Sequence, residues 1–351
     1  MSTLKSTNYN IYIGEKSFDA INTFIKKQAY TKYIIICDDN TLTHCLPALL
    51  FHCPELNEAE IIELESGEEH KTLETCSQVW GALTDIGTDK KSLIINLGGG
   101  VICDLGGFVS STFKRGVGFI NIPTTLLAMV DASVGGKTGV DFDGIKNHIG
   151  TITKPKAVFV NPFFLETLSE RHIKNGYAEI IKIAVIADAA FWKDLTQSKT
   201  TAHFYSEELI TKAIELKNAI VKKDLQENNI RKSLNFGHSI GHALESALLQ
   251  QQKSVLHGEA IAAGMIMESV IACKQKYLIK KKCDEICNYI RSIYPKLKIN
   301  NATISLVLEY IKHDKKNENG TLCFALPKPI GNYELCENVS VNDVKDVLIN
   351  Y

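Results

Sequence analysis

No uninterrupted apolar run of about 18 residues occurs in the sequence, so no segment reads as a membrane-spanning helix. The opening MSTLKSTNYNIYIG is polar and lacks the apolar core of a secretory signal; the expected location is the cytoplasm. Charge of one sign is also missing. The net charge is −1, which leaves no global basic field to draw in nucleic acid or an anionic membrane. An anionic ligand must therefore be held by local lysines and arginines. The ten cysteines include no CxxC pair. They are scattered, with several, such as Cys37 and Cys103, inside apolar runs, and read as reduced core thiols. Repeats and low-complexity tracts are absent.

What is present is an ordinary globular composition, 45% hydrophobic and 23% charged over 351 residues, enough for two domains. The first half alternates strand and helix signals. KYIIICDD (32–39), AEIIELE (59–65), SLIINLGGG (92–100), GFINIPTT (118–125) and KAVFVNP (156–162) read as buried strands. Apolar runs of this kind, ending in Gly, Asp or Pro, suit parallel strands covered on both faces. TLETCSQVWGALTDIG (72–87) reads as an intervening helix. The alternation stops after FVNPFFLETL, and helical spacing takes over, apart from a hairpin-like piece at 320–335.

A dinucleotide-type site is suggested by IINLGGGVICDLGGF (94–108), a strand, three glycines and a helix. Glycines at the carboxyl end of a strand let the backbone approach a phosphate, and the helix start offers N–H groups and partial positive charge. The spacing is not GxGxxG, so the usual fingerprint does not apply, and a tight turn is the plain alternative. Asp104, just inside the helix, is placed to reach a ribose or nicotinamide. Asp38 closes its strand where an acid often binds an adenosine ribose, although acids also cap helices. SGEEHK (66–71) carries Glu68 and Lys71, either for the same ligand or as a solvated charged turn.

PTTLLAMVDASVGGKTGVDFDGIKNHIG (123–150) reads as a glycine-rich loop. Its GGKTG is not a P-loop, because Asp131 stands where that motif needs glycine and no strand immediately precedes it. The loop can instead bring Lys137, Lys146, Asn147 and His148 to an anion and Asp131 to a hydroxyl. In HSIGH, His238 and His242 share a helical face, but Ser239 replaces the glutamate of a zinc-protease HExxH. His257 opens another helix, and Glu179 lies in the apolar helix GYAEIIKIAVI with Lys182 three residues on. A buried carboxylate needs a partner. A metal held by Glu179 and any two of the three histidines would supply one and leave a coordination position open. The alternative is core histidines beside a Glu179–Lys182 ion pair.

NLGGGVICDLGGF, PTTLLAMVDASVGGKTGVD, GYAEIIK, LNFGHSIGHALE and HGEAIAAGM, in this order, resemble the 3-dehydroquinate synthase family of sugar-phosphate cyclases, over about residues 30–330. The resemblance implies a dehydroquinate synthase-like fold. An α/β N-terminal Rossmann-like domain with a mainly parallel sheet (1–165) would bind NAD. An all-helical C-terminal domain (166–351) would bind metal and substrate. It implies Zn²⁺, with Co²⁺ as a substitute, on Glu179, His238 and His257, with His242 on the substrate side. NAD would lie on Gly99, Gly100, Val101 and Asp104, with Asp38, Glu68 and Lys71 at its adenosine half. Thr124, Thr125, Lys137 and Lys146 would complete that site, together with Phe164, Leu165, Glu166 and Thr167. Substrate would meet Asp131, Lys137, Asn147, Lys182, Lys217, Arg231, Asn235, His242 and Lys315. Arg115 would reach the phosphate of a substrate bound to the neighbouring protomer of a homodimer.

The implied reaction turns 3-deoxy-arabino-heptulosonate 7-phosphate into 3-dehydroquinate and phosphate, a step of the shikimate pathway. It combines transient oxidation by NAD, β-elimination of phosphate, re-reduction, ring opening and aldol closure, without net redox. Departures from the family pattern are small: Ala132, Ser239 and Asp141 stand where serine, threonine and asparagine are frequent, and none removes a charged or ligating group. Sister cyclases acting on sedoheptulose 7-phosphate or a hexose phosphate handle substrates without a carboxylate and should not need Arg231, Asn235 and His242. A metal-dependent polyol dehydrogenase would lack the phosphate-clamping lysines.

Overall fold

The computed structural model describes residues 1–143, 145–197, 204–313 and 322–351. The chain divides into two compact units: Met1–Ser169 with Tyr205–Asn218, and Glu170–Phe204 with Ala219–Tyr351. The helix Glu207–Lys223 therefore starts in the first unit and ends in the second.

The first unit is built on β1 (Ser2–Lys5), β2 (Asn10–Ile13), β3 (Tyr33–Asp38), β4 (Glu60–Leu64), β5 (Leu93–Gly98) and β6 (Gly118–Pro123). A separate hairpin, β7 (Lys137–Phe142) with β8 (Ile145–Ile152), comes before the last sheet strand, β9 (Ala157–Val160). The sheet order is β1-β2-β9-β6-β5-β3-β4, with every neighbour parallel except β1 and β2. Ile34, Ile36, Ile94, Leu105, Val109 and Phe119 meet in its core. β5 is buried at every residue, which is why it reads as an unbroken apolar run.

Two expectations need correction here, and the N-terminal strands β1 and β2 were not anticipated. β4 is not covered on both faces: it is an edge strand in which Ile61 is 45% exposed. The segment 123–150 is not one loop but a π-helical turn, Ala128–Ala132, followed by the β7–β8 hairpin. Its glycines concealed the hairpin. Gly139 and Gly150 face each other across it, and a Cβ on Gly139 would stand 2.8 Å from the Ile149 carbonyl oxygen. They are glycines because the backbones are too close for side chains, not because the chain turns freely.

The second unit is helical, with one antiparallel hairpin, β10 (Leu322–Pro327) and β11 (Tyr333–Val339), where the hairpin-like piece was expected. Its longest helices are Glu170–Ala187 and His257–Lys274. Both are buried on nearly all sides over much of their length, so that even Glu179, Lys182 and Glu268 lie in the interior. Beside them runs His238–Gln250.

Candidate functional site

In the second unit three helices bring together the residues singled out as metal ligands. His238 and His257 each occupy the first position of a helix, and Glu179 lies in the middle of Glu170–Ala187. Glu179 Oε1 stands 3.5 Å from Nε2 of His238 and 3.5 Å from Nε2 of His257. The other carboxylate oxygen is ion-paired with Lys182, and both residues are 2% exposed.

Each imidazole is oriented through its other nitrogen. His238 Nδ1 is 3.1 Å from the Phe236 carbonyl oxygen, and His257 Nδ1 is 3.3 Å from Oε2 of the buried Glu245. Both partners are acceptors, so each Nδ1 carries a proton and each Nε2 is turned toward Glu179. Glu179 Oε1 makes no hydrogen bond. Three lone-pair-bearing atoms thus converge on one point, which is repulsive until a proton or a metal cation enters. Two ligands each about 2.1 Å from a tetrahedral zinc stand roughly 3.4 Å apart, close to the separations found here. The donor set fits a metal.

Electrostatics agree with this picture. Burial opposes the Glu179 charge, but Lys182 and then His257 outweigh it and hold the carboxyl down at about 2. Burial also opposes a charge on His257, yet Glu179 and Glu245 raise its pKa to about 10. His238 is held well below its ordinary value by burial and by Lys182. His242, exposed, completes the cluster: one ring nitrogen from each of His238, His242 and His257 lies within 4.8 Å of the other two.

Near this cluster in sequence, Arg231 is buried in the short helical turn Ile230–Asn235, where Nη1 donates to the Leu225 carbonyl at 2.7 Å. Asn235 Nδ2 donates to Glu227 Oε1 at 2.8 Å. Sequence reasoning missed Glu227; its left-handed φ of 61° is a structural signal that no motif carried. Lys315 lies outside the described residues.

In the first unit Gly99 precedes the helix Gly100–Thr112 and offers no side-chain cap to its first turn. A Cβ on Gly98 would come within 2.6 Å of Ile102, which favours glycine there, and one on Gly99 would press to 3.2 Å from the Thr125 side chain. Val101 and Asp104 lie in the first turns of this helix. Thr124 is buried with its hydroxyl unpartnered, and its N–H donates to the Gly98 carbonyl at 3.0 Å. A backbone cradle beside an unsatisfied hydroxyl fits a phosphate-bearing cofactor.

Lys71 is no solvated turn residue. It is 2% exposed, and its Nζ donates to Asp104 Oδ2 at 2.7 Å and to Asn147 Oδ1 at 2.6 Å. Burial opposes its charge, but Asp104 and Glu68 more than compensate and raise its pKa. Lys146 Nζ stands 3.8 Å from Glu68 Oε1. The Asp141 carboxylate accepts the N–H of Asn147 at 2.7 Å, and Asn147 has a left-handed φ of 51°; nothing in the structure explains aspartate rather than asparagine at position 141.

Elsewhere in the unit, Lys217 Nζ donates 2.5 Å bonds to both the carbonyl and the carboxylate of Asp131, which sits in the π-helical turn. Asp38 caps the helix Asp39–His44, accepting the Thr41 N–H at 2.7 Å. Lys137 is exposed on β7. Phe164 and Leu165 are core residues, whereas Glu166 and Thr167 are exposed. Arg115 is exposed and follows Lys114 in two consecutive left-handed residues, with φ of 63° and 47°.

Residues 61–175 match the model of the 3-dehydroquinate synthase N-terminal domain, and residues 176–317 match that of the C-terminal domain. A 3-dehydroquinate synthase of Parabacteroides distasonis is 38% identical, with 94% of each chain covered. One from Helicobacter pylori is 38% identical, covering 98% of this chain and 97% of its own. A structure of 2-deoxy-scyllo-inosose synthase complexed with carbaglucose-6-phosphate, NAD⁺ and Co²⁺ superposes with a TM-score of 0.86 at 24% identity, covering 99% of both chains. A 2-epi-5-epi-valiolone synthase from Streptomyces hygroscopicus with NAD⁺ and Zn²⁺ gives 0.82 at 25% identity, covering 100% of this chain and 98% of its own. An iron-containing alcohol dehydrogenase of Thermotoga maritima shares the fold at a TM-score of 0.69 and 14% identity, with 99% of each chain covered. On domain models that together span most of the chain, and on relatives matched over nearly its full length, this protein belongs to the 3-dehydroquinate synthase family.

Proposed function

We propose that this chain converts 3-deoxy-arabino-heptulosonate 7-phosphate to 3-dehydroquinate and phosphate, as a carbon–oxygen lyase of aromatic amino acid biosynthesis, with NAD and Zn²⁺ as cofactors and Co²⁺ as a substitute. The observation that carries this reading is the convergence of Glu179 Oε1 with the Nε2 atoms of His238 and His257 in a chain of this family. The related cyclase structures bound to NAD⁺ with Co²⁺ or Zn²⁺ support the cofactors.

In this reading Glu179, His238 and His257 hold the metal, which when bound supplies a Lewis acid that eases ionisation of the substrate hydroxyl. Residues 1–165 hold NAD on Gly99, Gly100, Val101 and Asp104, and NAD supplies a reversible hydride acceptor. Lys71 orients Asp104 and opposes the burial that raises its pKa. Lys137, Asn147 and Lys182 bind phosphate or carboxylate, and Lys217 holds Asp131 toward a hydroxyl. Arg231 and Asn235 answer the substrate carboxylate, which distinguishes this substrate from those of sister cyclases. His242, beside the ligands but exposed, moves a proton. The second unit, residues 170–204 with 219–351, holds the metal and binds substrate. The protein acts as a homodimer in the cytoplasm, and Arg115 serves the neighbouring protomer's substrate. Its exposure on a left-handed pair of residues supports that role.

The test is phosphate release from 3-deoxy-arabino-heptulosonate 7-phosphate with NAD and Zn²⁺, while NADH absorbance is followed. Many turnovers without net NADH are expected. Release only from sedoheptulose 7-phosphate would move the chain to a sister cyclase, and stoichiometric NADH from a plain polyol would make it a dehydrogenase.

A further inference from the structure

The helix that begins at His238 has no cap of its own. The preceding Gly237 has no side chain and sits in the left-handed region at φ 79°. Gly237, His238 and Ile240 are all buried, so the first-turn N–H groups cannot turn to water. Buried donors of this kind are costly unless an acceptor reaches them. That acceptor comes from the other histidine-bearing helix. Glu268, 0% exposed in His257–Lys274, accepts the Gly237 N–H on Oε2 at 2.6 Å and the Ile240 N–H on Oε1 at 3.1 Å. The carboxylate is itself costly to bury. Two charge-assisted bonds and the positive end of a helix offset that cost.

The same two helices touch through glycine. A Cβ on Gly264 would collide with the Gly237 carbonyl oxygen, and one on Gly241 would stand 2.8 Å from Ile261 Cδ1. Glycine surfaces let the backbones approach, with Ile261 and Met265 packed against Gly241 and Gly237, but apolar contact alone is not directional. The two bonds to Glu268 are directional. Each helix carries a candidate ligand at its first position, His238 on one and His257 on the other.

We propose that Glu268 is a positioning residue for the metal centre. Its carboxylate sets the rotation and axial placement of His238–Gln250 against His257–Lys274, and so the approach of His238 Nε2 to Glu179 and His257. This rests on the metal reading above. Its role is exerted through the two helix N–H groups, not as a ligand.

The experiment is a Co²⁺ titration of the metal-free full-length protein, read by the visible absorption of the bound ion. Wild type is compared with Glu268→Gln, which puts an amide N–H₂ against one of the two backbone donors. Trp192→Phe, which loses the 2.7 Å bond from Trp192 Nε1 to Glu285 in the same unit, reports what lost stability alone does to affinity. Thermal unfolding of each metal-free protein is recorded alongside. The expected result is Co²⁺ affinity reduced roughly 10–100-fold in Glu268→Gln, as for outer ligands of metal sites, with an altered band intensity. Affinity within about twofold of wild type, or no weaker than in Trp192→Phe, overturns the proposal. If Glu268→Gln does not fold, Glu268→Asp, which keeps both oxygens on a shorter arm, is judged by the same criteria. Wild type that binds no Co²⁺ overturns the metal reading itself, an outcome distinct from equal binding by wild type and variant.

Discussion

The candidate sites of the two units are constructed in opposite ways. In the second, the charges are buried and answer one another: Glu179, Lys182, His238 and Glu245 are each less than a tenth exposed, and every orientation is fixed by another side chain or a carbonyl. In the first, the shape is made by backbone. Glycines at 98 and 99, a π-helical turn and the left-handed Asn147 do much of the arranging, beside two buried lysines, Lys71 and Lys217. A buried cluster is preorganised for one small, highly charged ion; a glycine cradle suits a long ligand touched mainly by N–H groups. Damage to the first kind of site should be all-or-none, and damage to the second graded.

The largest effect tests the buried cluster. His257→Ala should lose metal and activity together, with turnover down at least about a thousandfold; full zinc occupancy by elemental analysis would sink the ligand assignment. Chelation should likewise abolish phosphate release, and Zn²⁺ or Co²⁺ should restore it. The pH dependence has a definite sign. His257, held up at about 10 without metal, is protonated at neutral pH. Metal must displace that proton, so binding at pH 7–8 should release about one proton and weaken as pH falls. Calorimetry in buffers of different ionisation enthalpy measures this.

Next is Arg115→Ala, expected to lower turnover about a hundredfold while NAD binding stays near normal. Loss of NAD binding in a fluorescence titration would mean the residue was misassigned.

Lys71→Met separates structure from ligand in the first unit. Breaking a buried pair leaves Asp104 uncompensated and should cost about 3–5 kcal/mol, read by urea unfolding, with weaker NAD binding. Unchanged stability would show that the Lys71–Asp104–Asn147 network is not what holds that region.

The smallest change is Asp141→Asn. The amide oxygen can still accept the Asn147 N–H, so stability should move by no more than about 1 kcal/mol and turnover by only a few-fold. A hundredfold loss would show that the charge, rather than the hydrogen bond, matters at this position.

Much of this was legible because it is local. β5 and its glycines, the helical pairing of His238 with His242, and Glu179 with Lys182 three residues on all follow from periodicity and spacing within a few residues. Where local signals misled, geometry at a distance was the reason. The β7–β8 hairpin looked like a loop because its glycines serve a close strand crossing. β4 looked buried because an edge position is not written in its apolar run. Lys71 looked solvated because Asp104 and Asn147, its partners, lie 33 and 76 residues away.

The sequence by itself determined the strand–helix alternation and its end near residue 165, and the residue types able to hold a metal and an anion. These depend on side-chain chemistry and short-range repeat. Only the tertiary structure decided which nitrogen of each histidine faces Glu179, that Glu245 and Phe236 set those tautomers, that Glu268 caps the His238 helix, and that residues 205–218 belong with the first unit. Each of these depends on a contact between elements far apart in the chain, where burial turns a hydrogen bond or a charge from an option into a requirement.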